Sequence, residues 1–450
     1  MVGPRKLASV PAALKNLLTL PACDLPRWAR GLIMVGLLVY TLLGAVALDR
    51  WQHRSGQSLG QLGFGYGVLI DALRETGAYR VDAGVHYPGV AFSAHRLPLI
   101  PYFLLGLGGM LGDDLGRVAL AKCLMFNALL GLALLRVLQG VRAPAWAALL
   151  LLGFVLTMPR WGLNLFEVGL EEAYNIPTLT MLFALLWFGD EPERPGPAWA
   201  LSVGLLLALL LFMKSSMVYW CLAVPVLVWL RHRQLRLAGI MLALVILGLS
   251  GLAEFNRAHA GHFTTSSSWE GWNLYKGNSE FTAELYPPCS LDLLDYEGKV
   301  VADRPLRDEW DHSAYFTQRA VAFIKAHPGT FLELVGRKAW IFYGEVRASG
   351  LAQRGESRYG KPVYLAQIPW MMGFRVMLWA AILLALRTVW RGPWRSDAAL
   401  VALTYLAFLV LYSGFHLVGF AYERHVMPIV MPTAFYLLWR WSGNARQQVM

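Results

Sequence analysis

The stretch RGLIMVGLLVYTLLGAVAL, residues 30–48, carries a charge only at its first position. A helix of about 20 predominantly apolar residues crosses the hydrocarbon core of a bilayer. Similar runs occur at residues 115–138, 198–230, 237–253, 368–386, 397–412 and 427–441. The pattern predicts an all-α polytopic membrane protein, because a transmembrane barrel has shorter segments that alternate in polarity.

Composition supports the membrane class. Of the 450 residues, 56% are hydrophobic and 15% are charged, whereas charged residues make up roughly a quarter of a soluble domain. The net charge of +11 is explained by the concentration of Lys and Arg in cytoplasmic loops, so it does not indicate a nucleic-acid partner. The four cysteines are scattered and have neither metal-ligand spacing nor the pattern of a disulfide framework.

Clusters of arginine orient the C-terminal half. Arg231, Arg233 and Arg236 mark one cytoplasmic loop and Arg387, Arg391 and Arg395 mark another. Residues 254–366 then lie outside the membrane, and both termini are cytoplasmic, including the basic tail that precedes residue 30. In the N-terminal half, residues 97–111 are short for a membrane span, and residues 144–158 and 176–188 are weak candidates for spans. We expect about 10 to 12 spans.

Two long external loops divide the chain into three parts. Residues 1–254 form an N-terminal transmembrane module that includes a first external loop at 49–94. Residues 255–366 form a second external loop with juxtamembrane helices, and residues 367–450 form the C-terminal transmembrane helices. Long loops in compact proteins are usually functional.

The first loop contains an amphipathic helix and ends in a cationic pair. Tyr66, Leu69, Ile70 and Leu73 share one helical face, and a glycine at position 77 is placed to end the helix. The loop then ends at His95 and Arg96. Their residue types permit two interpretations, a solvated helix end or a phosphate-binding group.

The second loop has aromatic residues beside amides. Trp272, Asn273, Tyr275 and Asn278 lie within seven positions of one another. Rings can stack on the C–H faces of a sugar while amides bind its hydroxyl groups. A belt of aromatic residues at the membrane interface has the same composition, so both interpretations stay open.

Two further groups of cations occur near membrane segments. Arg337 and Lys338 are adjacent in a helix that restarts after Pro328, and Arg424 precedes His425 at the start of the last span. Such residues bind phosphate through charge-assisted hydrogen bonds. They also extend toward anionic lipid headgroups, and that alternative stays open.

Four segments of the chain, the first of them in two parts, together resemble the GT-C superfamily of integral-membrane glycosyltransferases. Within it they are most similar to the branch of lipid A aminoarabinose transferases and protein O-mannosyltransferases. The segments are YGVLIDALRETGAY (66–79), HRLPLIPYFLLGL (95–107), GWNLYKGNSE (271–280), AYFTQRAVAFIKAHPGTFLELVGRKAWIFYG (314–344) and ERHVMPIVMP (423–432). Each is loose alone, but their order between membrane spans is fairly specific.

The resemblance implies an enzyme of the bacterial cytoplasmic membrane whose site faces the exterior or periplasm. Its donor would be a sugar on undecaprenyl phosphate, and its acceptor a glycan, lipid or protein of the cell envelope, with inversion at the anomeric carbon. The branch carries its base, a carboxylate, in the first external loop. The matching position here is Leu62, followed by Gly63. Either Asp71 or Asp82 takes the role, or the base lies elsewhere, or the chain has lost activity.

The chemistry of transfer defines the remaining candidates. A base must take the acceptor proton, and cations must stabilise the charge that grows on the leaving phosphate. The candidate bases are Asp82 and Asp71, and the less favoured candidates are Glu167, Glu171 and Glu172. The non-catalytic interpretation of Asp71 is that it belongs to the solvated face of a helix. The candidate phosphate ligands are Arg96, Arg337, Lys338, Arg424 and His95.

The sequence demands no metal or other cofactor. It also lacks a glycine-rich nucleotide-binding loop, which favours a lipid-linked donor. Two alternatives remain. A non-catalytic flippase for lipid-linked glycans needs basic residues inside spans, for which Lys214 is the candidate, and an O-antigen ligase or polymerase has one dominant external loop.

Overall fold

The computed structural model describes residues 20–52, 54–63, 65–82, 89–188, 195–285, 302–346 and 360–447. In these ranges the chain is almost entirely helical, and two short strands form one antiparallel ribbon. The all-α prediction is confirmed. Most of the basic N-terminal tail (residues 1–19) and Cys289 lie outside the described residues.

The elements are numbered in chain order. The strands β1 (Val81–Asp82) and β2 (Ala91–Phe92) pair in the first loop. The helices are α1 (Arg27–Gln52), α2 (Tyr66–Thr76), α3 (Leu99–Leu111), α4 (Leu115–Gly140), α5 (Ala145–Leu156), α6 (Pro159–Phe166), α7 (Glu172–Trp187), α8 (Pro197–Met213), α9 (Val218–His232), α10 (Leu235–Ala260), α11 (Glu270–Gly277), α12 (Glu280–Leu285), α13 (Glu309–Ala326), α14 (Pro328–Tyr343), α15 (Gly360–Arg391), α16 (Asp397–Val418) and α17 (Val430–Gln447). Single 3-10 turns occur at Ala22–Asp24, Leu59–Gln61, Ser215–Met217 and Glu423–Ile429.

Five helices of the described residues are long and apolar enough to cross a membrane: α1, α4, α10, α15 and α16. The pair α5 and α6 would make a sixth span, with a bend of 64° between them. This number is below the expected 10 to 12, because several apolar runs are short or broken. Residues 198–230 divide into α8 and α9 at Lys214, and the run at 97–111 gives only the 13-residue α3.

Helix packing in the bundle depends on small residues. A Cβ on Gly204 of α8 would lie 2.6 Å from the side chain of Leu244 and 3.3 Å from the backbone of Met241 on α10. A larger residue would require Leu244 and the α10 backbone to shift, and small residues commonly set the contact distance between membrane helices. The α8–α10 pair therefore forms a close-packed wall.

The two ends of the bundle differ in chemistry. At one end Arg231 of α9 pairs with Asp397 at the start of α16, with 2.6 Å between Nε and Oδ1. Arg395 lies over the ring of Trp394 nearby in the chain, at 4.3 Å. The opposite end of α16, at Val418, borders a large cavity.

Candidate functional site

One cavity of about 1580 Å³ lies among the first and second loops, the end of α16 and the break between α8 and α9. Small-molecule pockets are typically about 300–1,000 Å³, so this cavity can hold a larger ligand. Residues of the first loop, the second loop and the segment before α17 share its wall. The loops that were expected to carry the site therefore meet at one place.

The end of the first loop is held by the second loop. The carboxylate of Glu309, at the start of α13, accepts backbone N–H bonds from Ser93 at 3.0 Å and from Ala94 at 2.8 Å. Ser267 Oγ donates to the His95 carbonyl at 3.1 Å. Burial raises the pKa of the Glu309 carboxyl. These bonds fix the backbone directly before Arg96.

His95 and Arg96 both line the cavity, but only one carries charge. Burial, with Arg96 next to it, lowers the pKa of His95 to about 3, so its imidazole is neutral at pH 7. The Arg96 guanidinium lies 3.7 Å from Glu171 Oε1 and 5.1 Å from the centre of the Tyr66 ring. Tyr66 is itself buried on the apolar face of α2. Arg96 is thus positioned between a ring and a carboxylate.

A group of buried charges continues from Arg96. Lys214, 4% exposed, sits at the break after α8 with its Nζ 2.5 Å from Glu172 and 3.4 Å from Glu171. Behind it, His425 Nε2 lies 3.9 Å from Glu172. Lys214 and Glu171 line the cavity. One cation therefore holds two neighbouring carboxylates.

The segment before α17 supplies a further cation, in addition to Lys276 of α11, which also lines the cavity. Arg424 lines the cavity, and its guanidinium lies 5.3 Å from the Tyr422 ring. Next to it, the rings of His425 and His416 are stacked at 4.1 Å. Burial holds the pKa of His425 well below its usual value. Arg424 is therefore the charged group that this segment contributes to the cavity.

The aromatic part of the second loop forms another wall. Trp272 and Asn273 of α11 line the cavity, as does Trp269. Trp272 is held by an edge-to-face contact with Phe316 of α13, at 4.7 Å. The Trp272 ring, 3% exposed, is therefore fixed in place behind the cavity wall next to the amide of Asn273.

Four of the predicted ligands lie outside the cavity lining. Tyr275 donates to Glu280 Oε1 at 3.2 Å. Asn278 donates to the Val418 carbonyl at 2.7 Å and accepts from Lys338 Nζ at 3.0 Å. Asn278 and Lys338 thus join α11 and α14 to the end of α16, and burial lowers the pKa of Lys338 to about 7.

Arg337 is the fourth predicted ligand that lies outside the cavity lining. Its guanidinium pairs with Glu333 of the same helix and donates to the Ala283 carbonyl at 3.1 Å. The neighbouring cations of α14 therefore point in different directions, as side chains one position apart on a helix do.

The two predicted bases have different positions. Asp82, in β1, lines the cavity, but its side chain is 83% exposed and lies 3.7 Å from Arg80. Asp71 of α2 is packed against Gly60 and lies 3.8 Å from Arg74. Asp71 is absent from the cavity lining, in keeping with the solvated-face alternative.

Sequence reasoning gave too little weight to three lining residues. Glu171 is only a less favoured candidate base in the sequence prediction, and Lys214 is a candidate only for the flippase alternative. Glu270 is not among the predicted site residues. A signal existed for the first two, since ionisable residues within apolar segments are costly and commonly functional. For metals, no group of three or more His, Cys, Asp and Glu in the described ranges could hold an ion, and independence from metal stays a prediction.

No family model and no curated protein matches the chain. Two solved structures do, and both are of one protein. The chain is similar to ArnT from Cupriavidus metallidurans. With ArnT bound to undecaprenyl phosphate it shares 15% identity at a TM-score of 0.38, over 87% of this chain and 78% of ArnT. With apo ArnT it shares 16% identity at a TM-score of 0.35, over 86% of this chain and 78% of ArnT. Likeness at this level assigns no residue roles, which rest on the geometry above.

Proposed function

We propose that the protein is a glycosyltransferase that moves a sugar from a polyprenyl-phosphate donor to an acceptor hydroxyl, with inversion at the anomeric carbon. In a bacterium the lipid is undecaprenyl phosphate, and the acceptor is a glycan, lipid or protein of the cell envelope. The observation that carries the proposal is the cavity where Arg96, Lys214 and Arg424 accompany carboxylates at the ends of membrane helices.

The three cations suit the phosphate of such a donor. Negative charge grows on the phosphate oxygens as the bond from the anomeric carbon to oxygen breaks. Fixed cations in a site shielded from water stabilise that charge. Arg96 and Arg424 bring forked donors that match phosphate oxygens, and Lys214 adds a point charge. The proposal needs no metal, because these side chains supply the positive charge.

The wall formed by α16 suits the lipid tail. Val410, Leu411 and Phe415 line the cavity together with Val418. Val410 and Val418 are also 66% and 53% exposed, as expected for residues that face lipid in a membrane helix. The apolar lining is thus continuous with the lipid-facing side of α16, which gives a prenyl chain an apolar path.

The polar and aromatic wall suits the sugar. Trp269 offers a half-buried ring that packs edge-to-face on Trp272, and Asn273, Ser313 and Thr317 line the same region with hydrogen-bonding groups. Rigid rings with a few placed polar groups are typical of specific ligand sites.

The position of the cavity suits the outer face of the cytoplasmic membrane. The ion pair of Arg231 with Asp397 lies at the other end of α16, near arginines that the positive-inside rule assigns to the cytoplasm. A flippase would use Lys214 along a path through the bundle, whereas Lys214 here is held by Glu171 and Glu172 at the cavity wall. That pairing favours the transferase.

A binding experiment tests the donor class. Purified protein is titrated with undecaprenyl phosphate and with undecaprenol, and the complexes are counted by native mass spectrometry. We expect the phosphate to tighten binding at least about tenfold, the equivalent of about 1.4 kcal/mol. Equal binding of the two lipids would overturn the assignment of the cations.

A transfer experiment tests the reaction. Undecaprenyl-phosphate-linked glucose, mannose and aminoarabinose, each radiolabelled in the sugar, are added to membranes that contain the protein. We expect one of them to label an envelope component. If none labels anything while undecaprenyl phosphate still binds, the protein is a lipid-binding protein and the transferase proposal is wrong.

A further inference from the structure

Transfer of a sugar to a hydroxyl group requires a base within the cavity. The acceptor proton must leave as the new bond forms, and a carboxylate is effective when it is partly shielded from water. Among the described residues, the carboxylates that line the cavity are Asp82, Glu171 and Glu270.

Two of these carboxylates are poorly suited. Glu171 Oε1 lies 3.7 Å from Arg96 and its Oε2 lies 3.4 Å from Lys214, so both of its oxygens already face cations and are less available to an acceptor hydroxyl. Asp82 is 83% exposed on a short strand, so water competes for its oxygens.

Glu270 has neither disadvantage. It is the first residue of α11, half-buried between Trp269 and the helix that carries Trp272. Its Oε1 accepts a 3.3 Å bond from the Ser267 backbone N–H. No salt bridge to Glu270 occurs in the described part of the chain. Burial raises the pKa of its carboxyl above the ordinary value, which makes it a stronger base when ionised.

We infer that Glu270 is the general base of the proposed transferase, and the inference rests on that proposed function. The acceptor O–H bond breaks and its proton passes to a Glu270 oxygen. The acceptor oxygen then bonds to the anomeric carbon, and the bond from that carbon to the phosphate oxygen breaks. The pair of electrons stays on undecaprenyl phosphate, which leaves with one additional negative charge beside Arg96 and Lys214.

The neighbourhood of Glu270 sets the expected pH dependence. The surrounding elements are the turn after Lys214, the end of the first loop at His95, and α13 with His312. Burial lowers the pKa of His95 to about 3 and that of His312 to about 4, so both are neutral between pH 5 and 8. Ionisation of Glu270 alone should therefore set the pH profile. The transfer rate should rise with pH in one step (the pH limb), with an apparent pKa above that of an ordinary Glu.

The test is Glu270→Gln in the transfer assay, beside Glu75→Gln as a matched control on the exposed side of α2. We expect transfer to fall by about 10²–10⁴-fold while undecaprenyl phosphate binds within about twofold of wild type, since the variant keeps the shape of the side chain. Glu270→Asp should retain partial activity with a pH limb, and Glu270→Gln should have no limb. The control should match wild type.

The outcomes separate this inference from the proposed function. Wild type that transfers no sugar would refute the function itself. Wild type that transfers sugar, with Glu270→Gln within about threefold of it or with an unchanged pH limb, would overturn the inference alone. A drop in thermal stability that accounts for the lost activity would show a structural role for Glu270 and would also overturn it.

Discussion

Lys214 offers the sharpest test of the buried charges, through replacement by methionine. Its ammonium is 2.5 Å from Glu172 and 3.4 Å from Glu171, and the side chains of Lys214 and Glu172 are 5% and 2% exposed. Methionine fills a similar volume but has no charge, so the Glu172 carboxylate would stay buried without its closest cation.

The expected loss of unfolding free energy is about 3–5 kcal/mol, the usual cost of removing one partner of a buried ion pair. The pair Arg257–Glu254, with side chains 60% and 54% exposed, gives the comparison. There Arg257→Met should leave the free energy of unfolding almost unchanged, because water screens the interaction.

Unfolding is followed by tryptophan fluorescence during titration with sodium dodecyl sulfate in mixed micelles. A double-mutant cycle with Glu172→Gln completes the experiment, since the double variant leaves no uncompensated charge in this pair. The double variant should lose about 1–3 kcal/mol less unfolding free energy than the sum of the losses in the two single variants. If Lys214→Met destabilises no more than Arg257→Met, or if the double variant is additive, the ion pair does not bear on stability as inferred.

Further predictions address binding, positioning, acid stability and metal. Arg96→Gln should weaken undecaprenyl phosphate binding about tenfold or more, whereas Arg80→Gln should leave it unchanged. Glu309→Ala should lower the melting temperature, because two backbone N–H groups lose their acceptor at about 1–3 kcal/mol each, and should also weaken lipid binding. Below pH ~6.5 the buried His95 and His312 bind fewer protons folded than unfolded, so the free energy of unfolding should fall from pH 7 to 5, and His312→Phe should flatten that dependence. Transfer should persist after EDTA treatment.

Each of these has a result that would count against it. Arg96→Gln with wild-type affinity would remove Arg96 from the phosphate site. A Glu309→Ala variant that binds lipid normally would show that the first loop holds its position without that carboxylate. A pH dependence of unfolding that is the same with and without His312 would place the titrating group elsewhere. Loss of transfer in EDTA that Mg²⁺ or Mn²⁺ restores would show that a metal is required.

Local features were predictable from sequence because they depend on near neighbours. The apolar face of α2 and its end at Gly77 follow from helical spacing and from the left-handed conformation that glycine adopts there, with φ 69°. The break at Pro328 also has a local cause, since proline cannot continue a preceding helix but fits the first turn of the next.

The site depended on contacts that no spacing reveals. Lys214 meets Glu172 across 42 positions, and Lys338 meets Asn278 across 60. The same residue types in the same loops could line a cavity or join helices, and only tertiary packing decides between them. Trp272 and Asn273 line the cavity whereas Tyr275, one turn further along the same short helix, and Asn278 at its end do not.

The bonds between the first and second loops have a consequence for biogenesis. Ser93 and Ala94 find their acceptor on Glu309, more than 200 positions later in the chain. During synthesis the first loop would leave the translocation machinery long before α13 is made. Until then the backbone N–H groups of Ser93 and Ala94, and the side chain of Arg96, would contact water or lipid. A chain truncated after α10 would insert its first spans yet lack a cavity. Assembly of the cavity is thus a late event, which follows synthesis of the second loop.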